Sequence, residues 1–115
     1  NLCVDTGHLY FAGVNPIKFF EKHLQRIKHI HFKDLRLQVL ENINFQRESF
    51  LKSVLKGVFT VPGDGGIDFV TIGNVIKASR YEGWIIVEAE QDPAIYNPLE
   101  LAISSKKYLD KIWSN

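Results

Sequence analysis

Four short β-prone runs, each followed by a turn or a helix-start signal, restrict what this chain can fold into. They occupy residues 2–5, 28–32, 58–62 and 83–90, the last reading GWIIVEAE. Asn-Pro pairs at Asn15–Pro16 and Asn97–Pro98 open two helical stretches, with Asn as the cap and Pro in the first turn, where a missing N–H costs nothing. Ile17, Phe20, Leu24 and Ile27 fall on one face of the first. Leu101, Tyr108, Leu109 and Ile112 do so on the other. A third helix is expected from Asp68 onward, despite Gly73. The stretch 6–14 reads as a loop, and 37–57 as a longer polar connection whose second half is a short helix ended by Gly57. The order strand, helix, strand, helix, repeated, predicts an α/β fold with a parallel sheet and crossover helices, one domain over residues 1–115.

Bulk properties narrow the partners. With 115 residues and 45% hydrophobic content, the chain can bury a real core. A net charge of +1 offers no electrostatic argument for nucleic acid or a membrane surface. No apolar run approaches the ~20 residues of a membrane span. The single cysteine, Cys3, excludes an internal disulfide, fits a reducing cytoplasm and reads as a small core residue. The chain holds no Met and opens directly on a strand, so an N-terminal part is expected to be missing.

Reactive side chains concentrate at one end of these strands. Asp5 and His8 follow the first, His31, Lys33 and Asp34 end the second, Asp64 follows the third, and Glu88 and Glu90 end the fourth. In parallel α/β folds the C-terminal strand ends carry the active site. Asp, Glu and His also suit a divalent metal. Each residue has an ordinary reading as well. Asp5 could cap a turn, His8 could pack under the loop, Lys33 could be solvated and Asp34 could cap or pair. His29 and His31 share a face by strand parity, His29 being the deeper and His31 the better ligand. Glu88 interrupts an apolar run, where a bare carboxylate needs a partner. Glu90 has the same parity and remains the alternative to it. Phe19, Phe20, Trp84 and Trp113 read as packing.

The motifs VDTGH, HIHFKD, PGDGGIDF and GWIIVEAEQDP resemble those of the xylose isomerase-like TIM-barrel superfamily across nearly the whole chain. The fuller pattern is most similar to the branch that dehydrates 2-keto-myo-inositol. The resemblance implies the C-terminal half, strands five to eight, of a (β/α)8 barrel. It implies a divalent metal, Mn²⁺ or Co²⁺, on Asp5, His31 and Glu88, with the fourth-strand Glu lying outside this chain. It gives His8 a place against substrate and as acid, Glu88 a second role as base, and Lys33 the support of charge on oxygen. Glutathione enters by resemblance alone, with no residue here marking a site for it. The implied partner is a small polyol or keto-inositol; a homo-oligomer is left open. Two other functions stay open: a metal-dependent sugar isomerase or epimerase on the same ligands, and a sugar-binding or interaction module that needs no metal and catalyses nothing. CVDTGHLYFAG is also similar to a segment of DNA-repair endonucleases of this fold, but VPGDGGIDF lacks the His of their zinc-binding Asp-x-His motif.

Overall fold

The computed structural model describes residues 1–114. Strand β1 (Leu2–Asp5) runs parallel to β2 (Ile27–Phe32), which runs parallel to β5 (Ile85–Val87), giving the order β1-β2-β5. The register sets Cys3 opposite His29 and Asp5 opposite His31. On the other edge of β2, His31 faces Ile86. Val4, Ile30 and Phe32 are buried on one side of this sheet. They pack with Phe20 of α2 (Pro16–His23), Phe69 and Ile72 of α5 (Phe69–Ala78) and Ile112 of α6 (Pro98–Ser114). Strand alternation therefore turns Cys3, Asp5, His29 and His31 to the opposite face. That face holds the polar groups.

Local signals account for most element ends. Asn15 caps α2 by accepting from the Lys18 N–H, and Asp68 caps α5 by accepting from Thr71. Ser49 caps α4 (Phe50–Leu55) in the same way through Lys52. Gly57, two residues past that helix, has φ +82°, the left-handed conformation in which glycine carries no steric penalty.

Several expectations need correction. Residues 6–14 do not form a plain loop: Thr6–Phe11 is helix α1, nucleated because Asp5 caps it. Helix α2 stops at His23, so Leu24 lies in a 3-10 turn and Ile27 begins β2, where tertiary pairing overrides the helical spacing. The 37–57 connection holds two short helices, α3 (Leu37–Leu40) and α4. Cys3 is exposed, since no helix covers its face of the sheet. Trp84 is 77% exposed at the entry to β5 rather than packed.

The largest departure concerns the third strand. It shrinks to β4 (Phe59–Thr60) and pairs antiparallel with β3 (Asp34–Leu35), outside the parallel sheet. Two features explain this. Pro62 offers no N–H to extend a ladder. Arg36 claims the carbonyls of Gly57, Val58 and Phe59, with its side chain on the first and third and its backbone N–H on the second. The Val58 bond continues the β3–β4 ladder, and a further strand on the other edge would have needed the Gly57 and Phe59 acceptors. No described helix is long and apolar enough to cross a membrane.

Candidate functional site

The VDTGH segment builds the first wall. Asp5 divides its two oxygens between tasks. Oδ1 accepts the His8 N–H at 2.9 Å as the helix cap. Oδ2 is buried and makes no hydrogen bond of good geometry. Thr6, wholly buried, ties this turn to the end of β2: its hydroxyl donates to the Lys33 carbonyl at 2.7 Å and receives the Lys33 N–H at 2.9 Å. Gly7 is required by proximity, because a Cβ there would lie 2.8 Å from Cγ of Lys33.

Two clusters stand side by side. In the first, one ligand atom each from Asp5, His31 and Glu88 lies within 4.8 Å of the others. His31 Nδ1 is 2.9 Å from Glu88 Oε2 and 3.9 Å from Asp5 Oδ2. Around a cation with bonds of roughly 2.1 Å, ligands at right angles stand about 3 Å apart and opposite ones about 4.2 Å. The two spacings to His31, 2.9 and 3.9 Å, are close to those values. The Asp5 Oδ2 oxygen supplies the second requirement, a buried acceptor that has ion-pair contacts, 3.2 Å to Lys33 Nζ among them, but no well-directed hydrogen bond.

In the second cluster, the fully buried Lys33 side chain donates to Glu90 Oε1. Its Nζ is also 3.0 Å from His8 Nε2, 3.2 Å from Asp5 Oδ2 and 3.5 Å from Glu88 Oε2. His8 Nε2 lies 2.8 Å from the same Glu90 oxygen. Burial works against the charge on Lys33, but the Glu90 and Asp5 carboxylates outweigh it and hold its pKa above the ordinary value. Burial likewise opposes the charge on Glu90, and Lys33 with His8 still pulls its pKa below the carboxylate range. This is an ion pair whose partners reinforce one another. Behind it stand Phe50 and Phe59, with ring centres 5.7 and 5.2 Å from His8.

The structure thus brings together Asp5, His8, His31, Lys33 and Glu88 from strand ends distant in sequence, and adds Glu90. It separates the two glutamates that strand parity left equivalent: Glu88 meets His31, and Glu90 meets Lys33 and His8. His29 has its ring 5.2 Å from that of His31, one step further from the strand end. Asp64 stands apart from both clusters, paired with Arg36 at 3.0 Å. Asp34 is fully buried and accepts four backbone N–H groups, from Leu35, Gly63, Gly65 and Ile67. Burial pushes its pKa up against those four donors. Sequence reading passed over Arg36, although KDLR put a cation just past the second strand end.

The chain resembles proteins of known name over nearly all its length. It is 54% identical over 108 residues to the inosose dehydratase of Clostridium beijerinckii, covering 94% of this chain and 36% of that protein. It is 54% identical over 110 residues to that of Lacticaseibacillus casei, covering 96% and 37%. For the inosose dehydratase of Salmonella agona, identity is 49% over all 115 residues and 38% of the relative. The chain spans little more than a third of the length of these curated relatives. The model of the xylose isomerase-like TIM barrel family matches residues 1–112, and the chain belongs to that family.

Proposed function

We propose that this chain forms part of a metal-dependent inosose dehydratase, acting on 2-keto-myo-inositol in inositol breakdown in the cytoplasm. The observation that carries the reading is the convergence of Asp5, His31 and Glu88 within 4.8 Å. The similarity to inosose dehydratases supports the substrate. On this reading residues 1–115 supply strands five to eight of a (β/α)8 barrel, and a glutamate from the fourth strand completes the metal shell.

Asp5, His31 and Glu88 would hold the metal, Mn²⁺ or Co²⁺ being the choice that this oxygen-rich set with one imidazole favours. Such a cation supplies Lewis acidity that stabilises negative charge developing on a ketone oxygen. The protein residues do the rest. Glu88, with its side chain 41% exposed, takes the proton from carbon next to the ketone. The released electron pair forms a carbon–carbon double bond as the neighbouring carbon–oxygen bond breaks. His8, 45% exposed on the open side, gives a proton to the departing hydroxyl, which leaves as water. Lys33, its ammonium buried and held by Glu90, favours negative charge on a nearby oxygen through its field. The enol that results settles to a trihydroxycyclohexane-dione.

The test uses the full-length protein that carries this chain, stripped of metal and assayed for inosose loss with and without Mn²⁺ or Co²⁺. Metal-restored conversion to a product lighter by one water is expected. Restored turnover at unchanged mass would make it an epimerase or isomerase instead. Turnover indifferent to metal would overturn the ligand assignment.

A further inference from the structure

We propose that Arg36 is a positioning residue that holds the segment bearing Glu88 and Glu90 against β4, and so sets where both carboxylates enter the site. Its guanidinium joins three separate parts of the chain. Nη1 donates to the Gly57 and Phe59 carbonyls at 2.8 and 3.1 Å. Nη2 lies 3.1 Å from Thr60 Oγ1, 3.0 Å from Asp64 Oδ2 and 3.1 Å from Gln91 Oε1. The plane sits over the Tyr96 ring, 4.3 Å from its centre. The side chain is only 13% exposed, so these bonds are largely shielded from water.

The topology makes this contact matter. Among the described residues, β4 pairs with β3 alone and shares no ladder with β5. No backbone hydrogen-bond register therefore sets the distance between β4 and the chain leaving β5. The Arg36–Gln91 bond and the Tyr96 stack span that gap. Gln91 follows Glu90 directly and lies three residues beyond Glu88. Anchoring it limits how far either carboxylate can swing from His31 or Lys33. A planar, five-donor cation can serve such divergent acceptors at once; an ammonium cannot. Thr60 locks the arrangement by donating its hydroxyl to the same Asp64 oxygen at 2.6 Å.

This inference rests on the metal-site reading and is tested so that the two can fail separately. Gln91→Leu removes the hydrogen-bonded part of the link to the 88–96 segment while leaving the Tyr96 stack and every Arg36 bond to β4 intact. Arg36→Lys removes the fork itself. In the full-length protein, both variants are expected to weaken Mn²⁺ binding by about tenfold or more, as outer-shell changes do. Gln91→Leu should leave the unfolding midpoint of the metal-free protein unmoved. Amide hydrogen exchange across residues 88–96 should accelerate in both. Wild-type Mn²⁺ affinity together with wild-type exchange in Gln91→Leu would overturn the proposal. If the parent protein takes up no Mn²⁺, the metal reading falls. Hydrogen exchange then decides alone: acceleration at 88–96 sustains the coupling, and its absence ends it.

Discussion

Asp34 shows how one side chain can shape a site it does not enter. Oδ1 receives the Leu35 and Ile67 N–H groups, both at 2.9 Å, and Oδ2 receives those of Gly63 and Gly65 at 3.1 and 3.0 Å. The turn that carries Asp64 to Arg36 is folded around this carboxylate. Asp34→Asn is nearly isosteric, yet its NH₂ would confront two N–H donors wherever it points. We expect a loss of about 2–6 kcal/mol for Asn, since buried donors left unpaired cost about 1–3 kcal/mol each. Urea unfolding measures it; a change below about 1 kcal/mol would show that the turn reorganises freely. The cap formed by Asp5 was legible from sequence, because a short side-chain acceptor just before Thr6 and Gly7 can reach the His8 N–H. The role of Lys33 was not: its burial depends on Thr6, Glu90 and Phe59, which come from three other segments. Glu88 and Glu90 share parity, so only their long-range partners distinguish them.

Helix starts were the best-signalled elements. Asn15 and Asp68 cap where expected because a side-chain acceptor at that position satisfies an otherwise orphaned N–H. Asp68→Ala should cost about 1 kcal/mol at neutral pH, the usual value for a lost cap. Hydrogen bonds from the Thr71 hydroxyl and N–H hold the Asp68 carboxyl below its ordinary pKa. A depressed carboxyl stabilises the fold above its unfolded pKa of about 3.9, and that contribution fades as pH falls through the folded value. The difference between wild type and Asp68→Ala should therefore shrink on acidification; denaturant titrations at neutral and strongly acidic pH would reveal a constant difference if the cap acted without charge. Strand β4 was the element least legible. VFTVP carries high β-propensity, but propensity does not say which edge a strand joins. Here β4 joins β3, and the Arg36 side chain occupies the Gly57 and Phe59 carbonyls that a further strand would use.

At the scale of the molecule, one face of the parallel sheet is packed under helices and the other carries the chemistry. The strand–helix alternation was enough to place the acids and histidines at one end, because parallel strands put their C-terminal ends together. It was not enough to give strand order, which joins β2 directly to β5. That pairing brings Glu88 level with His31, since the Glu88 N–H bonds the Phe32 carbonyl at 3.1 Å and continues the ladder, and the hold of Arg36 on Gln91 then limits how far the carboxylate can swing. The two glutamates have different tasks on this reading, Glu88 on the metal and Glu90 on Lys33. The most direct test is calorimetric titration of Mn²⁺ into the full-length protein and its Glu88→Gln and Glu90→Gln variants. Loss of a direct ligand should weaken binding by more than the roughly 10–100-fold typical of outer-shell changes, and loss of Glu90 by an amount within that range. The reverse ranking, or equal effects, would contradict the division of the site.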